Sequence, residues 1–172
     1  DEAIETINEF AGIFFHNGKI NIYLNTLDKK GRGIDGMYLS LLGTSAEDAD
    51  SGQVGRGNRV NGIIALNRPM GTEAAAGKNP VSHVGKIYNM LAHRIANEIY
   101  KEVKGIKEIY VWLCSQIGVP IDQPKIASAH LVMGKGISLT SVSKKVEGII
   151  NEEFKNITNF CMELAEGKYP VC

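Results

Sequence analysis

Nothing in the chain's 172 residues approaches the roughly 20 consecutive apolar residues that cross a bilayer, and no charged-then-apolar leader opens it. A soluble protein with no membrane partner is therefore expected. Charge of either sign is not in excess: 19 basic and 19 acidic side chains cancel. That balance removes the global field that holds nucleic acid or an anionic membrane, so any anion site must be local. Cysteine is scarce, at Cys114, Cys161 and Cys172, with no Cys-x-x-Cys pair. An odd count spread this way argues against a disulfide framework, and a reducing, cytoplasmic setting fits it.

What is present is one domain's worth of chain with clear periodicity. It opens without an initiator Met and already on a helical pattern, Ile4, Ile7, Ala11 and Phe14, as if cut from something longer. Apolar side chains at spacings of three and four predict a helix over 2–15, stopped by "HNGK". "KINIYLN" and "GMYLSLLGT" alternate apolar and polar residues around the Gly-rich "KKGRG", predicting a strand pair over 19–44. From 45 to 82 the chain is loop-like and broken by the short apolar piece "GIIAL", read as a short strand. So much irregular chain in a compact domain is usually functional.

Beyond Pro80, Val84, Ile87, Tyr88, Leu91, Ile95, Ile99 and Val103 predict a long amphipathic helix over 83–104. "EIYVWLCSQIG" and "KIASAHLVM" read as two more strands. Two closing helices follow, one carrying Val142, Val146 and Ile150, the other Ile157, Phe160 and Leu164. Helices among paired strands favour an α+β fold, a mixed or antiparallel sheet with helices packed on one face, over a doubly wound parallel sheet.

Two loops draw attention as anion binders. "MGTEAAAGKNP", 70–80, ends in a Gly-Lys step ahead of the long helix, as a phosphate loop would. It is not a Walker loop: five residues separate Gly71 from Gly77, and Asn79 stands where a Mg²⁺-binding hydroxyl is needed. The local physics survives, since Lys78 precedes a helix whose first amides are unpaired, with Pro80 expected near the first-turn position. In "DADSGQVGRGNRVNG", 48–62, backbone amides of a Gly-rich loop and the guanidinium groups of Arg56 and Arg59 can converge on an anion. The plainer reading of those arginines is a solvated loop with weak ion pairs to Asp48 and Asp50. His93, His130, Tyr110 and Trp112 fall within helix or strand patterns and are expected to serve packing.

At these same residues the chain resembles the archaeal type of methionine adenosyltransferase, the S-adenosylmethionine synthetase family. "GTSAEDADSGQVGRGNRVNG" and "NRPMGTEAAAGKNPVSHVGKIYNMLA" look like that family's signature segments, and the similarity continues through "YVWLCSQIGVPIDQP" and the C-terminal helices. The resemblance implies three similar intertwined α+β domains and a homodimer with active sites shared between subunits. The implied reaction joins ATP and methionine with Mg²⁺ and K⁺, expelling triphosphate that is then hydrolysed.

The implied roles fall on particular residues. Asp50, Gly52, Gly55 and Arg56 match the family's Asp-x-Gly-x-x-Gly-Arg pattern, with Asp50 toward methionine or nucleoside and Arg56 on the phosphates. Gly77 and Lys78 match a Gly-Lys-Asp pattern whose lysine grips the triphosphate, but here Asn79 replaces the acid and can only hydrogen-bond. Bacterial members carry a lysine after the motif arginine where this chain has Gly57, which leaves Arg59 or Lys86 to supply that charge. Asn58 and His83 are close enough in sequence to join the substrate shell, His83 equally as a capping residue. The family's Gly-His-Pro-Asp motif does not occur in these 172 residues. The chain is thus expected to be a C-terminal portion, inactive alone, with the metal-binding acid on an absent N-terminal part. The competing expectations are a noncatalytic anion or nucleic-acid binding module built on "GRGNRVNG", and a dimerisation piece using Ile109, Val111 and Leu113.

Overall fold

The computed structural model describes residues 2–16, 18–37, 60–63, 65–71, 73–169 and 171. The chain divides into two compact units, residues 1–45 and 46–172.

In the first unit, helix α1 spans Glu2–Phe14, as the apolar spacing predicts. Its aromatic side chains pair along one face, with Phe10 and Phe14 meeting edge to face at 5.2 Å, the i, i+4 neighbours of a helix. The expected strand over 19–25 is a correction: among residues 18–37 no strand is present. The anticipated partner strand, from residue 38 on, lies outside the described residues. The chain instead closes a tight turn around a 3₁₀ segment at Gly33–Gly36, where the Lys29 amide donates to the Gly36 carbonyl at 2.8 Å. A Cβ on Gly36 would sit 2.3 Å from the Lys29 carbonyl oxygen, so this closure requires glycine.

The second unit is built on helix α2, Val84–Glu102, within a residue or two of the predicted span. Its apolar stripe buries Ile87, Tyr88, Met90, Leu91, Ile95 and Ile99, and each such side chain removed from water contributes about 1.5–3 kcal/mol. The helix ends at Val103, and Gly105, at φ +85°, turns the chain into the sheet. Strands β1, Ile106–Cys114, and β2, Ile126–Met133, pair antiparallel. Ile109 faces Leu131 and Val111 faces Ala129 in this register, and all four pack toward the core made with α2 and the next helix, α3 at Leu139–Lys155. Ile109, Val111 and Leu113 are partly buried and pack against this core.

Helix α4, Ile157–Ala165, completes the core through Ile157, Phe160 and Leu164. The Tyr88 hydroxyl donates to the Ile121 carbonyl at 2.7 Å while its ring meets Phe154 of α3 edge to face. The unit is thus α+β, an antiparallel sheet with helices on one face. The opposite face carries Tyr110 stacked on His130 and an exposed Trp112, so these side chains sit in a strand as expected but pack away from the helical core. The short strand expected over 62–66 is a second correction. The described part of that segment is irregular, with the Ile63 amide donating to Asn61 Oδ1 and Leu66 fully exposed.

Candidate functional site

The segment leading into α2 is anchored by Ala74 and Ala75, both buried, the latter within the core cluster. Gly77 then adopts φ +75°, a left-handed conformation that costs an L side chain but not glycine, and it reverses the chain into Lys78. With the backbone pinned on one side and turned on the other, the Lys78 side chain is only 16% exposed, and its Nζ lies 2.8 Å from Glu73 Oε1.

Asn79 turns its side-chain oxygen onto the loop's own backbone. Its Oδ1 accepts hydrogen bonds from the amides of Val81 and Ser82 at 2.9 and 3.1 Å, and its carbonyl accepts from the His83 amide. Asn79 thus heads a turn of its own, with Pro80 as the second residue, a position suited to the fixed φ of proline. The expected place of Pro80 in the first turn of α2 is corrected accordingly, because the helix begins at Val84. Its N-cap is His83, whose Nδ1 accepts from the Gly85 amide at 3.0 Å. Of the two roles anticipated for His83, the structure displays capping. An accepting Nδ1 leaves the ring proton on Nε2.

Residues that sequence reasoning passed over complete the picture. Helix α2 has no acidic residue in its first turn and carries half-buried Lys86 there, an unfavourable sign for a helix N-terminus. The missing negative charge comes from outside the helix: a Cβ on Gly85 would stand 2.9 Å from Glu73 Oε1. The Glu73 carboxylate therefore lies between the Lys78 ammonium and the first turn of α2, in the kind of place a phosphate oxygen favours. Nothing in the sequence distinguishes Glu73 except its being an acid five residues before Lys78. Glu73 also borders a cleft of about 620 Å³, walled by Arg68, Met70, His93 of α2 and Tyr110 and Trp112 of β1. His93 is exposed at its edge to solvent, and partial desolvation against the wall lowers its pKa from the ordinary 6.5, favouring the neutral imidazole. Arg68 is paired with Glu108 at 3.1 Å.

Gly77, Lys78, Asn79, His83 and Lys86 thus cluster at the start of α2. Asp50, Gly52, Gly55, Arg56, Asn58 and Arg59, the other half of the anticipated site, lie outside the described residues. Among the described residues no group of three or more His, Cys, Asp or Glu side chains stands together as a metal-ligand set. No helix of the described residues is long and apolar enough to cross a membrane.

Comparison with known proteins fits this arrangement. Residues 1–168 match the family model for S-adenosylmethionine synthetase (AdoMet synthetase). The S-adenosylmethionine synthase of Thermococcus onnurineus is 52% identical over 153 residues, covering 89% of this chain and 37% of the relative. That of Pyrococcus horikoshii is 49% identical over 171 residues, 99% of this chain and 42% of the relative, and that of Methanobrevibacter smithii 45% identical over 168. The chain spans about two-fifths of the length of these curated relatives. With a match running through both Gly-rich loops, the sheet and the closing helices, the chain belongs to the S-adenosylmethionine synthetase family.

Proposed function

We propose that this chain is the C-terminal portion of an archaeal-type methionine adenosyltransferase, and that the loop at the start of α2 grips the triphosphate of ATP. The observation that carries this reading is the unbroken family match over residues 1–168, which takes in the Gly77–Lys78 turn. In the proposed reaction a sulfur lone pair of methionine forms a bond to C5′ of the ribose. The C5′–O bond breaks and its electrons leave on triphosphate, which water then splits into pyrophosphate and phosphate. Charge grows on the leaving oxygen, and fixed cations lower the barrier to the extent that they hold it more tightly in the transition state.

In this reading Lys78 and Arg56 are the cations on the triphosphate. Gly77 sets the turn, and Asn79 and His83 hold the loop and helix start in register. Asp50, Gly52, Gly55, Asn58, Arg59 and Lys86 line the ATP and methionine pockets. Mg²⁺ and K⁺ serve the reaction, with the metal-binding acid supplied by the N-terminal part of the complete protein. The complete protein has three similar intertwined domains and works as a cytoplasmic homodimer with shared sites, and these 172 residues alone turn over little or no substrate.

The test is formation of S-adenosylmethionine from ATP, methionine, Mg²⁺ and K⁺ by the protein at its full natural length. Lys78→Met and Arg56→Met each remove charge-assisted hydrogen bonds worth about 1.5–3 kcal/mol, so each is expected to lower kcat/KM by about 10- to 150-fold. Unchanged kinetics in both variants overturn the assigned roles, and turnover by the 172-residue chain alone overturns its being a partial site.

A further inference from the structure

The mostly buried Lys78 side chain already has a partner. Glu73 Oε1 holds it at 2.8 Å, and the same oxygen lies against Gly85 in the first turn of α2. The two ends of the pair differ in freedom. Lys78 is 16% exposed and set by the Gly77 turn, whereas Glu73 is 51% exposed and borders the open cleft between α2 and β1. If one partner must yield, it is the carboxylate, which has solvent and empty volume to move into.

We propose that Glu73 is a stand-in anion for the polyphosphate: it keeps Lys78 aligned and is displaced by an incoming phosphate group, which takes over the ammonium and the helix start. The inference rests on Lys78 being the triphosphate-gripping cation of the preceding section. Three features carry it. The carboxylate presents oxygens at the distance and charge that phosphate would. The helix supplies no first-turn acid of its own, and among the described residues Glu73 brings the negative charge there. Like charges at such separation repel, so a polyanion and the Glu73 carboxylate do not share the ammonium at full strength. Glu73 thereby sets affinity for polyphosphate lower than Lys78 alone would give, which eases release of a highly charged product.

Calorimetric titration of inorganic tripolyphosphate into the full-length protein tests this with Glu73→Gln and Lys78→Met. Glutamine keeps the shape of the half-exposed side chain and removes its charge, so Glu73→Gln is expected to tighten tripolyphosphate binding by about two- to tenfold, and Lys78→Met to weaken it. A gain of affinity is a readout that structural damage does not produce. If Lys78→Met weakens binding while Glu73→Gln leaves it unchanged or weaker, Glu73 is a support for the lysine, and this inference fails while the functional reading stands. If Lys78→Met binds as well as the parent, the reading and the inference fall together.

Discussion

Replacing Arg94 by methionine removes the charge that joins three helices while keeping most of the buried stem. Arg94 Nε lies 2.7 Å from Glu153 Oε2 of α3, and its Nη1 lies 2.9 Å from Glu163 Oε2 of α4. The same nitrogen donates to the Tyr169 hydroxyl, which itself donates to Glu163 at 3.0 Å. The guanidinium also stands 5.3 Å from the centre of the Phe160 ring. Burial pulls the Arg94 pKa down, but Glu153 and Glu163 outweigh it and raise the value, so the group stays charged at all working pH.

Glu153 decides the magnitude. Its side chain is 13% exposed, and Oε2 is buried without a hydrogen bond among the described residues, so its compensation there is the charge of Arg94. Removing one partner of a buried pair costs about 3–5 kcal/mol. Some water reaches both groups, so the expected loss for Arg94→Met is about 2–4 kcal/mol. Urea unfolding of the full-length protein, followed by circular dichroism, measures it. The double variant Arg94→Met, Glu153→Leu removes the orphaned charge and is expected to recover at least half of the loss. A single variant within about 0.5 kcal/mol of the parent, or a double variant worse than the single, would refute the view that an uncompensated carboxylate dominates.

Three further outcomes follow from other parts of the fold. Gly105→Ala places a side chain at φ +85° and its Cβ 1.7 Å from Ile137 Cδ1, so stability is expected to fall by about 1–3 kcal/mol in the same urea assay. Asn79→Ala loses the cap on the Val81 and Ser82 amides and is expected to cost about 1 kcal/mol, whereas Asn79→Asp keeps the accepting oxygen and retains most of that stability. His93 keeps solvent contact, but partial desolvation lowers its pKa from 6.5, so on acidification the unfolded chain takes up a proton before the folded one. Its contribution is present above about pH 6.5 and is lost as pH falls through the lowered folded value, and His93→Gln is expected to flatten that part of the stability–pH curve.

Local periodicity made much of the second unit legible. The stripe from Val84 to Val103 could only be one face of a helix, and the alternation in "EIYVWLC" and "IASAHLVM" matched strands whose inner face meets that helix. Where the pattern misled, the missing ingredient was non-local. "KINIYLN" and "GIIAL" have strand composition, yet their described residues are irregular. Pro80 suited a helix start, but Asn79 captured the amides that follow and His83 became the cap.

The chain's sequence by itself determined the family, the α2 core stripe, the sheet pair and the Gly77–Lys78 turn, because those rest on residues near one another along the chain. Only the tertiary structure decided that Glu73 fills the helix start and pairs with Lys78, and that Arg94 gathers Glu153, Glu163 and Tyr169 from 59 to 75 residues away. Charge pairing depends on distance in space, and no period in the sequence reports which acid the folded core will bring to which base.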